Sequence, residues 1–163
     1  MPLTKKSLQE RYESFINTAS DSEIDVMERM LSGWEKKRDG EYDSFIGSWL
    51  QPRSHWEENT LVVTIPNHKG LENILEITHG GVTATLLDNS MGIAADTIAP
   101  EGYAAVTLEM KINFMKPGKG NELRCEASIL SHSRKTAVTS GSVYREDGTQ
   151  IAHATATFYF VRH

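Results

Sequence analysis

Residues 79–96, His-Gly-Gly-Val-Thr-Ala-Thr-Leu-Leu-Asp-Asn-Ser-Met-Gly-Ile-Ala-Ala-Asp, constrain the fold more than any other stretch of the chain. Val82, Leu86, Leu87, Met91, Ala94 and Ala95 put apolar side chains on most sides, and the alanines and leucines favour a helix. A helix apolar nearly all round belongs in a core, so the remainder of the chain has to wrap it. Asp88, in the middle of this stretch, is costly there unless it is exposed, paired or used.

The flanking sequence supplies a wrapping. Four strand-like runs follow, at 104–115, 122–130, 136–144 and 150–160, separated by turn-forming residues at 116–121, 131–134 and 146–148. In the second run Leu123, Cys125, Ala127 and Ile129 alternate with Glu122, Arg124, Glu126 and Ser128, which predicts one buried and one wet face. Upstream, 45–50 and 61–66 read as two more strands. The resulting order, β-β-α-β-β-β-β, predicts an α+β layout with an antiparallel sheet around one central helix.

Residues 1–44 have a different character. Leu8, Tyr12, Phe15 and Ile16 fall on one face of an amphipathic helix. Ser20 with Glu23 reads as a capping box for a second helix, which ends at Lys36-Lys37-Arg38-Asp39-Gly40 with cations in its last turn and a glycine beyond. The chain therefore divides into an N-terminal helical extension, 1–44, and a second domain, 45–163. Acidic residues outnumber basic ones in the extension, and the whole chain carries a net charge of −5, so a nucleic-acid partner is not expected. One cysteine, Cys125, excludes an intramolecular disulfide and is expected to be inert packing. The first residues lack the apolar segment of a signal peptide, and no apolar run approaches membrane-spanning length. The expectation is a cytoplasmic protein with no membrane partner. The six histidines show no metal-ligand spacing, so no metal is expected.

Chemistry concentrates at the start of the apolar helix and at the carboxylate in its middle. Gly80 and Gly81 let the backbone approach a ligand, and the first-turn N–H groups have no intrahelical acceptors, so they can stabilise a developing oxyanion. His79 lies nine residues before Asp88, about 13 Å along the axis and roughly on the opposite face. The two cannot converge on one atom within a subunit. Two antiparallel subunits could bring them together twice, which predicts a two-fold dimer.

The motif Asn73, then His79-Gly80-Gly81, then Leu86-Leu87-Asp88-Asn89-Ser90-Met91-Gly92 resembles the phenylacetate-degradation (PaaI-like) branch of the hotdog-fold thioesterases. Further similarity lies in Val106-Thr107-Leu108-Glu109-Met110-Lys111-Ile112-Asn113-Phe114-Met115-Lys116-Pro117, in Ser133-Arg134-Lys135-Thr136 and in Asp147-Gly148-Thr149-Gln150-Ile151-Ala152. The resemblance covers roughly residues 45–162. It implies a hotdog fold, assembly as a homodimer and often a homotetramer, and hydrolysis of acyl-CoA or another acyl thioester. Coenzyme A would then enter as part of the substrate, with no other cofactor.

By the same resemblance, Asp88 is the base or nucleophile and the Gly80 N–H polarises the thioester carbonyl. His79 and Asn73 orient the site, Thr107 helps hold water, and Lys116, Arg134 and Lys135 meet the CoA phosphates. Ser133 departs from the glycine common at its position, and the helical arm is longer than in the shortest members. Plainer roles stand beside these: Asp88 as a structural carboxylate, His79 as an N-cap, Asn73 as a turn residue, Thr107 as an ordinary strand threonine, and the three cations as solvated charges. Two other functions compete, a non-catalytic acyl-CoA-binding hotdog module and a hotdog dehydratase or hydratase.

Overall fold

The computed structural model describes residues 4–163; residues 1–3 of the expected extension lie outside them. Two compact units result, Met1–Trp49 and Leu50–His163. Among the described residues no helix is long and apolar enough to cross a membrane.

The first unit holds α1 (Lys5–Ile16) and α2 (Asp21–Arg38). Both begin with a capping box, Thr4 with Ser7 and Ser20 with Glu23, the second as expected from the sequence. Hydrogen bonds from the Ser20 hydroxyl and backbone hold the Glu23 carboxyl below its ordinary range. Asp39 caps the C-terminus of α2, and Gly40 follows at φ +86°, the left-handed conformation that glycine adopts freely. The predicted face of α1 stays open: Leu8, Tyr12 and Phe15, with Met27 of α2, line a cavity of about 310 Å³.

One expected strand is a helix. Residues 45–50 form α3 (Phe45–Leu50), because Ser44 caps it: the Ser44 hydroxyl accepts the Gly47 N–H at 3.0 Å, and its carbonyl accepts the Ser48 N–H at 3.0 Å. Gln51, at φ +48°, and Pro52 then end the helix. The first strand lies further on, as β1 (Arg53–Glu57), which joins β2 (Thr60–Pro66) in a hairpin.

The second unit then runs through α4 (Gly80–Asp96), β3 (Tyr103–Phe114), β4 (Glu122–His132), β5 (Thr136–Arg145) and β6 (Gln150–Arg162). The six strands form one sheet in the order β1-β2-β4-β5-β6-β3, with every neighbouring pair antiparallel. α4 packs on β2 to β6, and Val82, Leu86, Leu87, Met91, Ala94 and Ala95 are all buried. This is the hotdog arrangement, α+β with an antiparallel sheet around a central helix.

Two glycines set how closely helix and sheet approach. A Cβ added at Gly141 of β5 would lie 3.0 Å from Leu87 Cδ2 and 3.1 Å from Met91 Cγ. One at Gly92 would lie 3.2 Å from the Phe158 ring. Gly141→Val is accordingly expected to destabilise the fold by about 1–3 kcal/mol through overpacking, read as a lower urea midpoint. Cys125 is fully buried on β4, and burial pushes its thiol up to about 12. The raised value disfavours the thiolate, so no reaction with Ellman's reagent is expected at pH 8 until denaturant is added.

The register of β3 carries one irregularity that positions the site. Directly opposed residues share a face, and β3 pairs Ala105 with Phe160 and Thr107 with Phe158, both core residues of β6. A bulge then inserts Leu108, and the helix-facing set continues as Met110, Ile112 and Phe114, opposite Ala156, Ala154 and Ala152. Without the extra residue, Thr107 would share its face with Glu109, Lys111 and Asn113.

Candidate active site

Thr107 uses that orientation to reach α4. Its hydroxyl donates to Asp88 Oδ1 at 2.7 Å, and Asp88 is half-buried. The carboxylate therefore has one oxygen engaged, with no cation paired to it among the described residues. At the end of α4, Asp96 accepts the Ala105 N–H at 2.9 Å and ties the start of β3 to the helix.

At the other end of α4 the N–H groups are spoken for in sequence. Thr78 N–H donates to the Gly118 carbonyl at 3.0 Å and His79 N–H to the Leu71 carbonyl at 2.8 Å. Gly81 N–H donates to His79 Nδ1 at 2.9 Å, while Val82 and Thr83 N–H donate to the His79 carbonyl at 2.9 and 3.2 Å. Among the described residues, only the Gly80 N–H of this run lacks an acceptor. Because His79 Nδ1 accepts, its proton resides on Nε2, as assigned from the hydrogen-bond network. Gly81 packs tightly against that ring: a Cβ there would stand 3.0 Å from His79 Nδ1 and 3.2 Å from Cε1.

Gly80 opens onto a cavity of about 510 Å³ whose walls include Asn73, Ile77, Phe114, Met115 and Lys116. Asn73 shapes its loop through three bonds: Oδ1 accepts the Leu75 N–H at 2.8 Å, its carbonyl accepts the Glu76 N–H at 3.0 Å, and its N–H donates to the Ile77 carbonyl at 2.9 Å. Its Nδ2 has no acceptor among the described residues. Ion pairs from Lys69 to Glu72 (3.2 Å) and Glu76 (3.0 Å) brace the same loop; they raise the Lys69 ammonium and lower the Glu76 carboxyl relative to their ordinary values.

Asp88 and Thr107 are not on the walls of this cavity. The structure thus brings together Asn73, Gly80 and Lys116 at one place, and Asp88 with Thr107 at another. The three cations do not gather either. Arg134 and Lys135 occupy the β4–β5 turn, where the Ser133 hydroxyl accepts the N–H groups of Lys135 (3.2 Å) and Thr136 (3.1 Å), so serine closes the turn in place of glycine. Thr136 and Val106 both pair with Tyr159, which sets that turn at the beginning of β3. Lys116 follows the end of β3, ten residues beyond Val106 and about 30 Å away along the strand at roughly 3.3 Å per residue. Thr78 and Asn67 carry little signal in the sequence. A threonine directly before His-Gly-Gly and an asparagine directly after the strand-ending Pro66 are the only signals they give.

Residues 75–152, which contain Thr78, Gly80, Asp88, Thr107, Lys116, Arg134 and Lys135 but neither Asn67 nor Asn73, match the sequence pattern of the Thioesterase superfamily. The BH2602 protein from Bacillus halodurans, solved with CoA, is 34% identical with a TM-score of 0.87, over 93% of this chain and 99% of that one. The chain belongs to the thioesterase superfamily. The medium/long-chain acyl-CoA thioesterase YigI of Salmonella typhimurium is 30% identical over 95 residues, 50% of this chain and 61% of that protein. The chain thus spans less than two thirds of YigI's length. The PaaI protein of Escherichia coli shares the fold at a TM-score of 0.67 and 19% identity, over 82% of this chain and 96% of PaaI.

Proposed function

We propose that this chain hydrolyses acyl-CoA thioesters to free acid and CoA at a site shared by two subunits. The observation that carries the reading is the Thr107–Asp88 pair beside an open sheet edge, with the vacant Gly80 N–H at the far end of the same edge. Membership of the thioesterase superfamily, and the acyl-CoA thioesterase activity in the name of the YigI relative, supply the substrate class.

The edges of the sheet support the sharing. β1 is a five-residue edge bearing Arg53, His55 and Glu57, with an ion pair from Arg53 to Glu122 and a hydrogen bond between His55 and Glu57. β3 is twelve residues long and exposes Val106, Leu108 and Phe114, the last two at 60% and 57%. A long, apolar, unpaired edge calls for a partner. If two β3 strands pair antiparallel, the Ala105–Thr107 end of one meets the Phe114–Lys116 end of the other. Asp88 then faces the partner's Gly80, and the Arg134–Lys135 turn faces the partner's Lys116.

In such a site the Gly80 N–H, aided by the helix N-terminus, binds the thioester oxygen as it becomes an oxyanion. Thr107 holds Oδ1 of Asp88, and Oδ2 takes a proton from water as the water oxygen attacks the carbonyl carbon. Collapse of the tetrahedral intermediate breaks the C–S bond and releases the CoA thiolate, which takes up the proton. The His79 Nε2–H and Asn73 Nδ2 are donors available to orient the acyl group. A thioester is already activated toward attack, so the mechanism needs no metal.

The test is thiol release with Ellman's reagent across a panel of acyl-CoAs. Turnover that rises with enzyme concentration is expected. Saturable binding without turnover would identify a binding module, and water addition to enoyl-CoA would identify a hydratase.

A further inference from the structure

Thr78 is only 4% exposed, yet it is polar, and its hydroxyl has a specific partner. Thr78 Oγ1 donates to Asn67 Oδ1 at 2.9 Å, Asn67 Nδ2 donates to the Gly120 carbonyl at 2.8 Å, and Asn67 N–H donates to the Asn121 carbonyl at 2.6 Å. Thr78 N–H closes the ring on the Gly118 carbonyl. Three segments distant in sequence therefore meet here: the end of β2, the turn that leads into α4, and the loop from Lys116 to Asn121.

The fit leaves no slack. A Cβ on Gly118 would stand 2.6 Å from Thr78 Oγ1 and 3.2 Å from Ile151 Cδ1, so the loop presses its backbone onto the threonine. Thr78 and His79 then have their N–H groups committed in succession, and the next one, Gly80, is the free donor. We infer that Asn67 and Thr78 are positioning residues for the reaction proposed above: they clamp the turn bearing the Gly80 N–H to the loop bearing Lys116, and so fix the oxyanion donor and the cavity wall in one frame. Thr78 also lines the cavity, but its hydroxyl is committed to Asn67, so both side chains act through the backbone they hold. Displacement of a reacting group by about 1 Å is enough to lower a rate about 10²-fold.

The experiment compares Thr78→Val, Thr78→Ser and Asn67→Ala in the full chain, with steady-state kinetics beside the ¹H–¹⁵N resonance of the Gly80 amide. Valine keeps the shape and removes the hydroxyl, whereas serine keeps the hydroxyl. Thr78→Val and Asn67→Ala are expected to lower kcat about tenfold to a hundredfold with KM within threefold, and to move the Gly80 amide resonance. Thr78→Ser is expected to restore both. Values of kcat within twofold of the unaltered protein in Thr78→Val, a serine variant as impaired as the valine one, or a Gly80 resonance that stays in place would each overturn the inference. If the unaltered protein hydrolyses no acyl-CoA, the proposed function fails, and the Gly80 resonance alone decides whether the clamp exists. Should Thr78→Val fail to fold, Asn67→Ala with the serine variant gives the same two readouts.

Discussion

Asp88→Asn is expected to lower kcat for acyl-CoA hydrolysis by about 10²–10⁴ while the thermal midpoint stays within a few degrees. Asparagine is nearly isosteric with aspartate and still offers Oδ1 to the Thr107 hydroxyl, so the contact at 2.7 Å survives. It cannot take a proton from water. KM should change little, because the lost interaction belongs to the transition state. A purely structural carboxylate predicts the reverse: a lower midpoint with kcat retained. Thr107→Val, which removes the hydroxyl but not the bulk, should show a milder loss in the same direction.

Gly80→Pro is the second large effect. Gly80 is the first residue of α4, the position where proline is tolerated because its missing N–H would have no intrahelical acceptor. The preceding residue, His79, already sits at φ −60°, ψ 135°, the extended conformation that a following proline requires. A Cβ at Gly80 would have the Phe114 ring at 3.7 Å, an ordinary contact. The substitution thus deletes one N–H and little else. Loss of an oxyanion donor of this kind lowers kcat about 10²–10³-fold.

Used with Asp88→Asn, the same variant also tests the shared site. Unfolding the two inactive variants together in equal amounts and refolding them should return about one quarter of wild-type activity. Half of the pairs are mixed, and each mixed pair assembles one site with both groups intact. Recovery at the level of the separate variants would place both groups in one subunit and dismiss the sharing.

Much of the fold was legible in the sequence because its strongest signals are local. The apolar spacing of Val82 to Ala95 defines α4, and the alternation from Glu122 to Ile129 defines β4. Residues 45–50 depart from their expected strand: Phe45, Ile46 and Leu50 suit a strand, whereas a single hydroxyl, on Ser44, decides for a helix. The bulge at Leu108 was invisible for a different reason. The run from Tyr103 to Phe114 reads as an unbroken strand, and only pairing with β6 reveals that the helix-facing residues change parity after Thr107. The proximity of Thr107 to Asp88 follows from that change, so it came from resemblance and not from spacing. The separation of Lys116 from Arg134 and Lys135 is a property of strand register: Thr136 and Val106 both oppose Tyr159, so the β4–β5 turn sits at the start of β3 and Lys116 beyond its end.

The unequal edges of the sheet also bear on how association ends. Hydrogen-bonded edges are templates, and a protein with two open ones can add copies without limit, toward fibres. Here the charged, five-residue β1 offers no such template, while β3 offers one. Pairing two β3 strands consumes the open edge of both copies at once and leaves only β1 at either end. In the proposed dimer, the strand that completes the catalytic site is therefore also the one whose pairing brings sheet growth to a halt.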